Sequence, residues 1–170
     1  IQAQNRLAEI RGIDLREVVT VCEDASSDEE LTDYDATDSD FAELSERGFQ
    51  INGADYLIYG VNYYPKDTPF GLFLTESNLE AIEAEFELIQ DAGLNTLRLF
   101  LRPQDLFLCD APVPHVDNFE RLDSIIQLAH DSDFRIIMVL NQDVIPSVLY
   151  FEDFISDQMQ FIVERYQDEG

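Results

Sequence analysis

Apolar residues along the second half of the chain alternate between a strand pattern and a helix pattern. Near-continuous apolar runs at 57–62, 94–101 and 135–140 predict three strands, because parallel strands covered on both faces carry such runs. Helical spacing of apolar residues follows each strand, with faces formed by Leu79, Ile82, Phe86 and Ile89, by Phe119, Leu122, Ile125, Ile126 and Ala129, and by Phe154, Ile155, Ile162 and Tyr166. This order of strand and helix, repeated three times, predicts an α/β fold with parallel pairing through crossovers.

Local signals mark the ends of two of these helices. Ser77 followed by Glu80 predicts a capping box at the start of the first helix, and Gly93 is placed to end it. Asp117 or Asn118 is expected to cap the second helix. The third helix is predicted at about 151–166.

A turn signal precedes the first predicted strand. Asn52-Gly53 lies between Phe49, Ile51 and the apolar run that begins at Tyr56. This dipeptide favours positive φ at both central positions, so 48–60 is expected to form a short β-hairpin that leads into the first main strand.

The residues before the hairpin have a different composition. Between 23 and 47 there are eleven acidic residues and one arginine, which predicts an acidic, poorly ordered linker. Residues 1–22 carry weak helical signals, although 18–21 fits a strand equally well. The chain is therefore divided into a short helical or extended leader at 1–22, an acidic linker at 23–47 and a main domain at 48–170.

The net charge of −26 argues against partners that carry phosphate, so neither nucleic acid nor an anionic membrane surface is expected to bind. No apolar run approaches the roughly 20 residues that cross a bilayer, and no membrane insertion by this segment is expected. The chain begins with Ile1, and no signal peptide is visible. We therefore expect a processed product or part of a longer protein.

No metal or cofactor is predicted. Cys22 and Cys109 lie far apart, and two separate thiols are favoured over one disulfide. His115 and His130 are isolated, and His130 ends a helical pattern where a cation favours the helix dipole. The aspartates between 33 and 40 lack the glycine and glutamate of a calcium-binding loop, and no GxGxxG or GKS/GKT motif follows a strand.

Arg98 is a lone cation inside an apolar strand. Its guanidinium stays charged, so burial would require a carboxylate or several carbonyls around it. Strand alternation places Thr96, Arg98 and Phe100 on one face and the leucines at 97, 99 and 101 on the other. A doubly wound sheet and a (β/α)₈ barrel both fit the pattern. The leucine face suits the helical layer, so Arg98 is expected to point into the interior of a barrel near its catalytic end, and this position is favoured over a surface or strand-end arginine that reaches water.

Four stretches together resemble the opening of a known family. They are RGFQING, GVNYYPKDTPF, GLNTLRLFL and FERLDSIIQLAHDSDFRIIMVL, and they resemble retaining glycoside hydrolases of the cellulase-like superfamily between about 47 and 170. The resemblance implies a partial (β/α)₈ TIM barrel of about three βα units, preceded by the hairpin and the acidic leader. Three units would leave an open sheet edge, which the remainder of the barrel or a partner chain is expected to cover.

The resemblance also implies site residues. Arg98 would orient a nucleophilic glutamate, and substrate-binding candidates follow the predicted strands: Asn62, Tyr63, Tyr64, Arg102, Asn141 and Asp143. Packing beneath the loop after the first strand is an equal alternative for each tyrosine. Asp143 fits a loop residue as well as a ligand. Phe70 stands where such sequences often carry tryptophan, and the chain has no tryptophan.

The expected function is the N-terminal portion of a retaining O-glycosidase acting on a β-linked glycan, outside the cell or at its surface. Such enzymes use two carboxylates about 5 Å apart. The resemblance places both after the third helix, beyond these 170 residues, so the chain alone is expected to be inactive. The alternatives are a non-catalytic truncated or degenerate barrel that serves as a binding or structural subunit, and a barrel enzyme of unrelated chemistry.

Overall fold

The computed structural model describes residues 30–36, 41–108, 113–140 and 154–169, without the side chains of 154–156. The predicted leader at 1–22, both cysteines, Asn141 and Asp143 lie outside the described residues. The corresponding predictions therefore stay predictions.

A small antiparallel sheet precedes the rest of the described fold. Its strands are β1 (Glu43–Ser45), β2 (Gly48–Ile51) and β3 (Ala54–Asp55), paired in the order β1-β2-β3. Asn52 and Gly53 join β2 to β3 with φ of 53° and 75°, as a tight hairpin turn requires. The predicted hairpin is confirmed, whereas β1 had no signal in its acidic surroundings.

The second sheet is parallel. It contains β4 (Gly60–Tyr63), β5 (Thr96–Phe100) and β6 (Arg135–Val139) in the order β4-β5-β6. Parallel pairing of the three predicted strands is confirmed, although β4 begins three residues later than predicted. The predicted start of this strand, residues 57–59, is held by the side chain of Asn95. Its Oδ1 accepts from Tyr59 N (2.9 Å) and its Nδ2 donates to Leu57 O (2.8 Å).

Helices occupy the connections between the parallel strands and follow the last one. A 3₁₀ turn at Phe70–Leu72 precedes five described α-helices, which are α1 (Phe73–Glu76), α2 (Leu79–Asp91), α3 (Pro103–Leu106), α4 (Val116–Asp131) and α5 (Phe154–Tyr166). The three long helices confirm the three predicted from apolar spacing. None of the described helices is long and apolar enough to cross a membrane.

Both predicted N-caps are wrong. The Oδ1 of Asn78, and not a Ser77–Glu80 box, accepts from Glu80 N at 2.8 Å and Ala81 N at 3.3 Å at the start of α2. At α4 the cap position is His115, without a side-chain bond. Asn118 lies within that helix, where its Nδ2 donates to the Asp105 carbonyl at 2.6 Å.

The core lies between the helices and one face of the parallel sheet. Leu97 and Leu99 of β5 are fully buried, and so are Ile82 and Phe86 of α2. The side of α4 that faces the same core is formed by Phe119, Leu122, Ile125, Ile126 and Ala129. On the opposite face of the sheet, Asn62 and Arg98 are exposed and Ile137 is 40% exposed.

The prediction of a partial (β/α)₈ barrel is wrong. The described residues form a mixed α/β fold with two separate small sheets, one of three antiparallel strands and one of three parallel strands. The error has a physical cause. Repeated strand–helix units give the same apolar pattern in an open sheet and in a barrel, whereas closure depends on strand number, tilt and stagger.

Part of the acidic range packs against the helices. Leu31 and Tyr34 are partly buried against the core, and the Tyr34 ring lies edge-on to Tyr166 at 5.0 Å between centroids. Arg165 Nη1 donates to the Thr32 carbonyl at 2.9 Å. The composition of 23–47 did not predict these contacts, and the division into leader, linker and domain stays a prediction.

Candidate functional site

Polar and aromatic side chains meet on the sheet face that the helices leave uncovered, between the middle of β5 and β6 and the carboxyl ends of β4 and β5. We call this surface the open face, and its members are Asn62, Tyr64, Arg98, Phe100 and Ile137. Asn62, Arg98 and Ile137 lie side by side in the pairing register of β4, β5 and β6. In α/β folds, the carboxyl ends of parallel strands are where binding groups accumulate, so this surface is the candidate site.

Arg98 lies at the middle of the open face. Its Nη1 donates to Asn62 Oδ1 at 3.4 Å, and its Cζ lies 4.5 Å from the centroid of the Phe100 ring. The predicted alternation is confirmed, because Leu97 and Leu99 are buried and Arg98 is exposed. No carboxylate in the described part of the chain forms an ion pair with Arg98. An amide and a ring face thus hold a cation whose remaining N–H groups can bind an anion.

Tyr64 extends the open face with an aromatic stack. Its ring lies 5.5 Å from that of Phe100 at an interplanar angle of 18°, and 4.9 Å from that of Phe70. Phe70 is 56% exposed and has a φ of 55°, which a bulky residue rarely adopts. These three rings form a continuous aromatic surface beside Arg98.

Tyr63 lies on the other side of the sheet. It is 4% exposed, packs edge-on to Phe73 and Phe86, and its Oη donates to Glu85 Oε2 at 2.7 Å. Burial raises the pKa of the Tyr63 hydroxyl, and the hydrogen bond and negative charge of Glu85 raise that pKa further. Of the two roles that the sequence left open for Tyr63, packing is the one that the structure supports.

Arg102 follows β5 and lies under the loop that leaves β4. Its Nε is 3.5 Å from Asp105 Oδ2, and both side chains are mostly buried. A Cβ added at Gly71 would lie 2.6 Å from Arg102 Nη1, so a glycine allows the loop to approach this guanidinium. Arg102 therefore supports the loop at the edge of the open face.

The structure brings together three of the predicted site residues, Asn62, Tyr64 and Arg98, and places Tyr63 and Arg102 around them. Sequence reasoning missed the contacts of Glu85, which accepts hydrogen bonds from the Tyr63 hydroxyl and the Lys66 backbone N–H. The apolar spacing of its helix predicts that Glu85 faces solvent. Tyr63 and Lys66 reach Glu85 only because of the path that the chain takes after β4. Its role had no signal in the sequence.

Apart from the open face, a concavity lies on the helical side of the fold and has a volume of about 520 Å³. Its walls include Asp33, Asp35 and Asp123, and also Leu79 and Leu128. None of its lining residues belongs to the open face. In the described ranges, no group of three or more His, Cys, Asp or Glu residues is arranged to hold a metal ion.

Comparison with protein-family models, with curated proteins and with solved structures gives no match. The geometry of the site is therefore the ground for a functional assignment. Its chemical elements are a cation without a carboxylate partner in the described residues, an amide beside it and an aromatic surface in which Phe70 is exposed and Tyr64 and Phe100 are half-buried.

Proposed function

We propose that this chain supplies the arginine and part of the sugar-binding surface of a retaining O-glycosidase that acts on a β-linked glycan. In this proposal, Arg98 orients the carboxylate of a nucleophilic glutamate, and both reacting carboxylates lie outside these 170 residues. Asn62 and Tyr64 contact the substrate. The proposal rests on side chains of β4 and β5 and of Tyr64, which follows β4, and it does not require the barrel that the resemblance implied.

The observation that carries the proposal is the environment of Arg98. Asn62 Oδ1 and the Phe100 ring hold the guanidinium on the open face, yet no carboxylate of the described residues pairs with it. Arginine offers a planar fork that binds carboxylates through two parallel hydrogen bonds. In retaining hydrolysis the nucleophile must be ionised and correctly oriented, and an arginine beside it serves both needs.

Sugar recognition is supported by the aromatic surface. Pyranose rings present C–H groups on their faces and hydroxyls at their edges, so exposed rings and amide groups suit them together. The Tyr64–Phe100 stack and the exposed Phe70 ring supply the apolar part. The Asn62 amide supplies a polar group, although one of its lone pairs already accepts from Arg98.

Substitution of Arg98 tests the proposal. The variant is made in the longer protein that also carries the two reacting carboxylates, and it is assayed on a panel of β-linked oligosaccharides such as cellotetraose. Arg98→Lys should lower kcat by about 100-fold or more, because the lysine ammonium keeps the charge but loses the planar fork of the guanidinium. Arg135→Lys is the matched control, since Arg135 lies on the same sheet face at the amino end of β6. Steady-state kinetics on both variants measures the difference.

Two outcomes would count against the proposal. Equal turnover in Arg98→Lys and Arg135→Lys would refute the role of Arg98. Binding of the oligosaccharides without any hydrolysis would favour the second candidate, a non-catalytic binding or structural subunit, which the aromatic surface with its exposed Phe70 ring also fits.

A further inference from the structure

Glu85 of α2 joins the end of β4 to the loop that follows it. Its Oε2 accepts from the Tyr63 hydroxyl at 2.7 Å, and its Oε1 accepts from the backbone N–H of Lys66 at 3.0 Å. The two donors lie three residues apart, on either side of the point where the chain leaves the sheet. Hydrogen bonds to a carboxylate are stronger than those between neutral groups, so this bridge restrains the start of the loop.

The same loop carries two rings of the aromatic surface. Residues 64–69 contain no helix or strand, and the 3₁₀ turn at Phe70–Leu72 follows. Tyr64 precedes Lys66 and stacks on Phe100, while Phe70 follows and contacts Tyr64. The position of both rings therefore depends on the path that the chain takes through Lys66.

The conformation of Phe70 indicates that its surroundings impose it. A φ of 55° is unfavourable for a side chain of this size, and exposure of 56% of the residue is unfavourable as well. Neither feature stabilises the loop by itself. Contacts elsewhere must hold it, and they include the Glu85 bridge on one side and the approach of Gly71 to Arg102 on the other.

We propose that Glu85 is a positioning residue that sets the loop 64–72, so that Tyr64 and Phe70 form a fixed aromatic wall beside Arg98. The ligand of this wall is a sugar ring of the proposed substrate, which stacks its apolar face there. The inference rests on the proposed function for the identity of the ligand. Its structural part, the restraint of the loop by Glu85, stands on the two hydrogen bonds.

The test uses three variants of the helix α2. Glu85→Ala removes both acceptors, whereas Glu85→Gln keeps an oxygen for Lys66 and offers an amide group to the Tyr63 hydroxyl. Glu87→Ala is the matched control, because Glu87 is an exposed glutamate on the same helix. Amide hydrogen exchange at Lys66, followed by NMR without ligand, should be about 10-fold faster in Glu85→Ala and close to wild type in the other two.

Kinetics on the same variants tests the link to the ligand. In the longer protein that also carries the two reacting carboxylates, KM for cellotetraose and related β-linked oligosaccharides should rise about 10-fold in Glu85→Ala while kcat changes less than twofold. The reason is that the wall acts on binding and does not touch the reacting bond. Glu85→Gln should restore most of the loss. A residue needed only for folding would instead lower the active fraction, and with it kcat, at constant KM.

The outcomes separate the two proposals. Lys66 exchange in Glu85→Ala equal to that in Glu87→Ala would overturn the restraint of the loop by Glu85. Faster exchange with an unchanged KM would overturn the role of the wall in binding. If the wild-type protein neither binds nor hydrolyses any oligosaccharide of the panel, the proposed function fails, and the exchange measurement still decides the restraint of the loop.

Discussion

At the scale of single residues, neighbours in the sequence serve opposite sides of the sheet. Tyr63 points into the core and bonds to Glu85, while Tyr64 stacks on Phe100 at the open face. Strand alternation accounts for this difference, because consecutive side chains of a strand point to opposite faces. The sequence left the same two roles open for both tyrosines, since alternation does not say which face the helices cover.

Burial of tyrosine hydroxyls predicts loss of stability in alkali. The pKa of Tyr63 and of Tyr166 is raised, first by burial and then by Glu85 and Asp123 respectively. In the unfolded chain a tyrosine ionises at a pH of about 10, whereas these two stay protonated in the folded protein. Below pH 10 these two tyrosines therefore do not change the free energy of unfolding. Above pH 10, each of them lowers the free energy of unfolding by about 1.4 kcal/mol per pH unit.

Urea unfolding between pH 9 and pH 11.5 measures this dependence. Tyr63→Phe should make the fall shallower by about 1.4 kcal/mol per pH unit, because the ionisation of Tyr63 in the unfolded chain is removed. Tyr59→Phe is the control, since Tyr59 is 56% exposed, and it should keep the wild-type slope. Identical slopes in the wild type and Tyr63→Phe would contradict the assignment.

At the scale of elements, the apolar patterns predicted which segments form strands and helices, and local details at their ends differed. The start of α2 is an example. Ser77-Asn78 offers two adjacent cap residues, and a box with Glu80 favoured the first. In the structure Ser77 is 3% exposed, and its Oγ has no hydrogen-bond partner. The cap position is occupied by Asn78.

The two residues make a matched pair for measurement. Asn78→Ala should lower the free energy of unfolding by about 1 kcal/mol, since two backbone N–H groups lose their acceptor. Ser77→Ala should leave stability unchanged or raise it, because it removes a buried hydroxyl without a partner. Denaturant unfolding measures the free energy of unfolding of both variants. A larger loss of stability in Ser77→Ala than in Asn78→Ala would support the capping box of Ser77 and Glu80 after all.

At the scale of the whole molecule, one arginine connects segments that are far apart in the sequence. Arg165 of α5 binds Asp123 of α4 through Nε at 3.1 Å and Nη2 at 2.5 Å, and also donates to the Thr32 carbonyl. Tyr166 donates to the same carboxylate at 2.7 Å. This cluster holds residues 30–36 against two helices in a chain that has a net charge of −26, with 36 acidic residues and 10 lysines and arginines.

Removal of the Arg165 side chain should therefore be costly. Its side chain is only 7% exposed, and Arg165→Ala leaves a largely buried carboxylate without its cation, which should lower the free energy of unfolding by about 3 kcal/mol. Arg47→Ala is the control, because the Arg47–Asp55 pair is exposed and should contribute less than about 1 kcal/mol. A similar loss of unfolding free energy in both variants would show that the buried cluster stabilises the fold no more than the exposed Arg47–Asp55 pair does.

The sequence by itself determined the order of strands and helices, their parallel pairing, the hairpin at Asn52-Gly53 and the alternation that puts Arg98 on the strand face opposite the leucines. These features follow from periods of two and 3.6 residues and from turn chemistry, which are local properties. Only the tertiary structure decided that the described strands form two small sheets, that Tyr63 bonds to Glu85, and that Leu31 and Tyr34 pack near Arg165. Each of these depends on contacts between residues distant in the chain, and their geometry is set by packing that no local pattern encodes.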